Sequence, residues 1–284
     1  MKRKKYSRNK VYIVGAGPGD SELITLKGFK IMKKADCVIY DYLVNKKLLR
    51  YAPKTAELIN ADDIRNEFAK HPRFIGDVSV ANSHHNVADT SVSVSEAKNS
   101  FSDGFTKEQD KLNNLIVEKS KKYKTVVRLK NGDTVIFGRL NEEIFSLVKN
   151  KIDFEIIPGI TAASSASASL NIGLTKTKLA PVVSFITGHE NPSGKKSSVN
   201  YALLPKQGTL VFYMAVEQIG KLAGNLIDIG WNKNTFCGIV ERASFSDEKS
   251  YIGKLKDIKK LVLKINSPSV FIVGNVLKYA FKKK

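Results

Sequence analysis

Residues 11–20 read Val11-Tyr12-Ile13-Val14-Gly15-Ala16-Gly17-Pro18-Gly19-Asp20. Four apolar, mostly β-branched residues make a short buried strand, and a turn without side chains follows before a helix-period segment. The glycines are spaced GxGxG, no glycine stands at the sixth position, and Pro18 removes one backbone N–H, so this is not the dinucleotide fingerprint. Such a loop makes a tight strand-to-helix turn and also lets a flat ligand press against backbone. Short apolar runs then alternate with helix-period segments along the whole chain, the pattern of an α/β fold with largely parallel sheets.

The further strands expected are Cys37–Tyr40, Ala56–Asn60, Thr125–Leu129, Phe154–Ile157, Val182–Thr187, Thr209–Met214, Phe236–Val240 and Ser269–Val273. Thr106 to Lys121 opens with a capping-box spacing, Thr106 to Gln109, and sets Leu112, Leu115 and Ile116 on one face, which predicts a helix. The chain has 284 residues, 42% of them apolar, and two cysteines, which excludes a disordered chain, a disulfide-stapled scaffold and a collagen-like repeat. Its length predicts two domains, an N-terminal one over 11–130 and a C-terminal one over 131–277, with basic tails at 1–10 and 278–284. Residues 66–105 are rich in Ser, Asn, Asp and Val and show no sustained period, so they read as a polar surface insertion of disordered-type composition.

No apolar run approaches the roughly 18 to 20 residues that span a bilayer. Lys2-Arg3-Lys4-Lys5 precedes only the short run Val11–Val14, so it reads as a solvated tail rather than a secretory signal. Cys37 and Cys237 lie in apolar stretches without CxxC spacing, and His71, His84 and His85 lack ligand spacing, so no metal is expected and the compartment reads as reducing. A cytoplasmic location follows, with an organellar address in the basic N-terminus as the alternative.

Lys and Arg number 47 against 27 Asp and Glu, a formal charge of +20. Six basic residues fall in residues 1–10 and four in 278–284 with no acid in either stretch, so 10 of the +20 sits in the tails. A nucleic-acid surface, a site for a polyanionic small molecule and general Lys enrichment all fit this surplus. No RNA-binding or zinc-finger signature accompanies it, so nucleic acid is not the expected partner.

Two further loops carry chemistry. Val126-Val-Arg128-Leu-Lys130-Asn131-Gly132-Asp133-Thr134-Val-Ile136-Phe137-Gly138-Arg139 again runs from a strand end through a loop into a helix start. Ligands collect at the carboxyl ends of strands in open α/β sheets, so this loop and residues 15–20 suggest one crevice, with Asp133 suited to ribose hydroxyls or an amino group. Ile157-Pro158-Gly159-Ile160-Thr161, Phe185-Ile-Thr-Gly-His189, Val211-Phe-Tyr-Met-Ala215 and Glu241-Arg-Ala243 each sit at or just past a further strand end. Taken singly, a small-residue helix at Thr161–Ser169 or a Tyr213-Met214 pair would be ordinary packing.

In their joint order these motifs, with Ala35-Asp36-Cys-Val-Ile-Tyr40-Asp41-Tyr-Leu-Val44, resemble the tetrapyrrole methyltransferases, and among them those acting on uroporphyrinogen III. The resemblance covers residues 11–60 and 106–275. It implies a two-domain fold with a mainly parallel sheet in each domain, the active site in the cleft between them, a homodimer, and S-adenosylmethionine as methyl donor without a metal. The implied cofactor positions are Pro18, Asn131, Gly132, Asp133, Ile136, Thr161, Ala162, Met214 and Ala243, and Asp41 matches the family's proton acceptor. The implied reaction is methylation of uroporphyrinogen III to precorrin-2, for sirohaem or cobalamin synthesis. Its polycarboxylate substrate makes Arg128, Lys130 and Arg139 candidate partners.

The chain departs from the family pattern at several places. Asp63 stands where the family has a lysine assigned as proton donor, Asn131 and Thr134 replace a glycine and a proline, Leu140-Asn141 replaces Gly-Gly, and Thr175-Lys176-Thr177 replaces Thr-His-Arg. Asn tolerates the left-handed backbone that Gly favours, so cofactor binding is expected to survive. The competing readings are methylation of a later corrin precursor and a non-catalytic relative that binds ligand or nucleic acid through its basic surface.

Overall fold

The computed structural model describes residues 9–66, 106–188, 199–263 and 265–280. The chain divides into two compact units, Met1–Ala16 with Ile24–Gly159 and Gly17–Leu23 with Ile160–Lys284. Apart from Asn66, the insertion expected at 66–105 lies outside the described residues, as does His189.

The first unit contains strands β1 Lys10–Gly15, β2 Cys37–Tyr40, β3 Glu57–Asn60, β4 Thr125–Lys130 and β5 Asp153–Ile157, with helices α1 Leu26–Met32, α2 Ala61–Asn66, α3 Lys107–Lys122 and α4 Leu140–Lys149. The strands lie in the order β3-β2-β4-β1-β5 and every pairing is parallel. Helices therefore cover both faces, and the central strands read as unbroken apolar runs because both sides are buried. Val11 and Ile13 of β1 pack with Leu112 and Ile116 of α3 and Leu147 of α4, while Val14 packs with Met32 of α1 and with Val127 and Leu129 of β4. Thr106 caps α3 by accepting from Gln109 N at 3.3 Å, and the Gln109 amide turns to Asn113 Oδ1 at 2.9 Å.

The expected boundary at 130/131 is displaced. Strand β5 pairs in parallel with β1, Val11 opposite Phe154 and Ile13 opposite Ile156, so it completes the first sheet and the unit ends at Gly159.

The second unit contains α5 Ala162–Ser169, β6 Val183–Thr187, β7 Thr209–Tyr213, α6 Ile219–Asp228, β8 Phe236–Glu241, β9 Lys249–Lys254, α7 Ile258–Val262 and β10 Ser269–Val273. Its sheet order is β6-β7-β10-β8-β9. Only β6 and β7 are parallel, and the other three pairings are antiparallel, which corrects the expectation of a mainly parallel second sheet. Residues 242–248, which join β8 to β9, are too few for the crossover a parallel pair requires. Phe212 and Phe271 stack at 5.7 Å in a core closed by Leu222 and Leu226 of α6 and by Trp231. Cys37 and Cys237 are buried, and that burial pushes both thiols up to about 12. Among the described residues no helix is long and apolar enough to cross a membrane.

Candidate active site

All five strands of the first sheet end on one edge, and the connections of the adjacent strands β1 and β4 leave in opposite directions, to β2 and to β5. That is where ligand loops gather in parallel sheets. Three glycines, Gly15, Gly132 and Gly159, meet there backbone against backbone. A Cβ on Gly15 would lie 2.5 Å from Gly159 N and 2.8 Å from Gly132 O, and a Cβ on Gly159 would run into Gly132 O. Gly132 also takes the left-handed region, with φ +65°. Asp133 Oδ1 accepts from Val135 N at 3.2 Å and from Gly159 N at 3.3 Å, stapling the loop after β4 to the loop after β5. Asn131, Asp133 and Ile136 stay half-buried, and Phe137 and Arg139 hold φ of 51° and 52°. Non-glycine residues in that region are uncommon and concentrate at ligand sites.

Thr134, in this same loop, is fully buried, and its Oγ1 has no hydrogen-bond partner among the described residues. An orphaned hydroxyl carries its desolvation cost without compensation. Thr134→Val is expected to leave stability unchanged or raise it by about 1 kcal/mol in urea melts. A clear loss would show that the hydroxyl is used.

The cations around Asp41 bear on a further expectation. Asp41 follows β2, and Arg128 Nη2 reaches its Oδ1 at 2.5 Å. Arg128 Nε also donates to Glu143 Oε1 on α4 at 3.0 Å, and Nη1 donates to Ile39 O and Leu129 O at 3.4 and 3.3 Å. Lys130 Nζ lies 2.8 Å from Glu143 Oε2. Burial works against the Arg128 charge, yet Asp41 and Glu143 outweigh it and hold the guanidinium pKa above its ordinary value. Burial outweighs Glu143 at Lys130, whose pKa is lowered. Both side chains point into the α3–α4 face of the sheet with charges already matched, so neither offers an unpaired charge to a substrate carboxylate. Arg139 remains half-exposed, donating to Glu142 Oε1 at 3.1 Å and to Thr106 Oγ1 at 3.3 Å. Asp63, at the family's lysine position, accepts from Asn60 Nδ2 at 2.9 Å, and Asp62 accepts from Tyr42 N at 2.8 Å.

In the second unit the remaining predicted positions converge. Strands β6, β7 and β8 end where the antiparallel β10 begins, since Val270 lies opposite Tyr213 and Ser269 opposite Glu241. Gly188 N donates to Tyr213 O at 2.7 Å. Thr161 starts α5 without capping it, and its hydroxyl lies 2.6 Å from Tyr213 Oη. Ala162 and Ala243 share one apolar cluster. Pro18 is buried, and a Cβ on the next residue, Gly19, would strike the Phe245 ring at 2.5 Å and Ala243 O at 2.9 Å. Asp20 N donates to Ser244 Oγ at 2.9 Å. Met214, Arg242 and Ser244 have φ of 54°, 51° and 66°, and Met214 is 55% exposed. The α5 face with Ser164, Ser165 and Ala168 lines a cavity of about 430 Å³ reaching Ser244 and Glu248. Glu248 Oε2 accepts there from Ser169 Oγ and Ser244 N, both at 2.6 Å.

A family model described as Tetrapyrrole (Corrin/Porphyrin) Methylases matches residues 10–259. The chain belongs to this family. This tetrapyrrole methylase is 34% identical over 271 residues to the S-adenosyl-L-methionine-dependent uroporphyrinogen III methyltransferase of Methanosarcina barkeri, spanning 94% of this chain and 92% of that one. It is 36% identical over 271 residues to the uroporphyrinogen-III C-methyltransferase of Methanocaldococcus jannaschii, spanning 94% and 96%. Its fold matches the crystal structure of uroporphyrin-III C-methyl transferase from Thermus thermophilus complexed with S-adenyl homocysteine, with TM-score 0.70, 26% identity and coverage of 97% and 96%.

Sequence reasoning missed two partners in this methylase, Glu143 and the Tyr213 hydroxyl. Glu143 stands in the first turn of α4, where an acid is explained by the helix dipole alone. Tyr213 ends a buried strand, where an aromatic is ordinary core.

Proposed function

We propose that this methylase transfers two methyl groups from S-adenosylmethionine to ring carbons of uroporphyrinogen III, yielding precorrin-2. The observation that carries the reading is the Asp41 carboxylate, fixed by Arg128 at the same sheet edge as the Gly15–Gly132–Gly159 cradle. Whole-chain similarity to uroporphyrinogen III methyltransferases supports it. When bound, S-adenosylmethionine supplies an electrophilic methyl carbon, which an electron-rich pyrrole carbon attacks in line. Three glycines packed backbone to backbone leave these strand ends without side chains, which suits a cofactor held against backbone. Asn131, Gly132, Asp133 and Ile136 in the first unit, and Pro18, Thr161, Ala162, Met214 and Ala243 in the second, would hold it.

The attacked ring carbon already carries a carboxyalkyl group and keeps no proton after methylation, so Asp41 takes the proton from the bridging carbon beside the cationic ring, and its negative charge stabilises the positive charge that builds during attack. Arg139 and the exposed Lys46, Lys47 and Arg50, on the segment after Asp41, supply the cations for substrate carboxylates in this reading, since Arg128 and Lys130 are already paired with Asp41 and Glu143. The protein acts as a homodimer in this reading, which light scattering checks. Anaerobic incubation with S-adenosylmethionine and uroporphyrinogen III should give a product heavier by two methyl groups. No product, with cofactor binding intact by calorimetry, would move the reading to another tetrapyrrole.

A further inference from the structure

Asp41, Arg128, Glu143 and Lys130 form a chain of alternating charge, Asp41 to Arg128 at 2.5 Å, Arg128 to Glu143 at 3.0 Å and Glu143 to Lys130 at 2.8 Å. Its two anions and two cations balance. Side-chain exposure is 0% for Arg128 and Glu143 and 4% for Lys130, against 21% for Asp41, so the network reaches the surface only at Asp41. Charges sealed this deeply are weak evidence for stability, because well-packed apolar residues of like volume serve a core as well or better. Three elements nevertheless converge on that one carboxylate, β2 presenting it, β4 bracing it with Arg128, and α4 bracing Arg128 with Glu143. A charge-assisted contact of this length restricts the carboxylate to one orientation. Such preorganisation matters where charge develops during a reaction.

We infer that Glu143 is a positioning residue that acts through Arg128 on Asp41, with Lys130 balancing its charge. This rests on the proposed methyl transfer. Glu143 is sealed from solvent, and its side chain meets Arg128 and Lys130; it keeps the guanidinium where Asp41 needs it. Removing its charge leaves Arg128 and Lys130 sharing one carboxylate between them, so the guanidinium can shift and take the Asp41 carboxylate with it. Misplacement of a reacting group by about 1 Å costs up to about 100-fold in rate.

The test is a double-mutant cycle between Glu143→Gln and Asp41→Asn. It reads kcat and KM for uroporphyrinogen III, the Kd for S-adenosylmethionine and the melting temperature. Glu143→Gln alone should lower kcat by about 10- to 100-fold, with cofactor Kd changed by less than about twofold. In the Asp41→Asn background the same substitution should cost less than about twofold further in kcat, while lowering the melting temperature by more than it does alone, because Arg128 then keeps neither carboxylate. A merely structural role would give equal factors in both backgrounds, and that additivity would overturn the inference, as would wild-type kcat in Glu143→Gln. Should that variant not fold, Lys130→Met/Glu143→Gln, which keeps the charges balanced, carries the same cycle with the same outcomes. A wild-type protein that binds S-adenosylmethionine but methylates no tetrapyrrole would overturn the functional reading itself, a result distinct from additivity in an active enzyme.

Discussion

Asp41→Asn is expected to lower kcat by about 10²- to 10⁴-fold, the range for loss of a positioned general base. The Kd for S-adenosylmethionine should stay within about twofold of wild type. The amide keeps the size of the carboxylate but accepts no proton and presents no charge to Arg128. Arg128 is sealed from solvent yet retains Glu143 at 3.0 Å, so the variant should fold with a lowered melting temperature. Anaerobic single-turnover assays separate chemistry from binding, and calorimetry gives the cofactor affinity independently. Wild-type turnover would remove Asp41 from the mechanism. A matching loss of cofactor affinity would instead place it in the binding loops.

Gly159→Ala is expected to be the most disruptive addition of one methyl group to the first unit. The new Cβ would run into Gly132 O and lie 2.8 Å from Gly15 Cα, and all three positions are backbone at the ends of strands already in register. Relief requires spreading β5 from β1 or moving the loop after β4, at about 3 kcal/mol for overpacking of this kind. For a unit of this size that corresponds to a fall of about 6–12 °C in melting temperature. The same movement breaks the Gly159 N to Asp133 Oδ1 bond and should abolish measurable S-adenosylmethionine binding. Gly224→Ala is the contrasting case, since no neighbouring atom lies within 4 Å of where its methyl would sit on α6. It should stabilise by about 0.5–1 kcal/mol through helix propensity alone. If Gly159→Ala melted and bound cofactor like wild type, the cradle would be compliant, and the structural argument for the cofactor site would fail.

The features that were legible in advance share a cause. Each strand buried on one or both faces announced itself as a β-branched run, from Val11–Val14 to Ser269–Val273, because burial acts on every residue of the strand. The helix from Thr106 was legible through its cap and its apolar spacing, both local. Strand β9 was not, since Lys249–Lys254 lies at the sheet edge with Lys249, Ser250 and Ile252 exposed, and backbone pairing to β8 leaves no apolar period. The antiparallel second sheet was hidden too, because period records which face is buried and says nothing of strand direction.

The site divides in the same way. Residues 15–20, 131–139 and 157–161 show that strand ends carry glycine loops, residues 35–44 that Asp41 follows a strand, and the joint order of these with the later motifs carries the resemblance to the tetrapyrrole methyltransferases. The partners of the charged residues were decided only by tertiary structure. Arg128 and Lys130 look like surface cations at a strand end until β2 and α4 bring Asp41 and Glu143 to them, 87 and 15 residues away for Arg128. The boundary after Gly159 likewise depends on which strand β5 pairs with. Propensity, capping and apolar period are written into neighbouring residues. Charge pairing, strand direction and backbone close approach depend on groups distant in sequence, and only the folded chain brings those together.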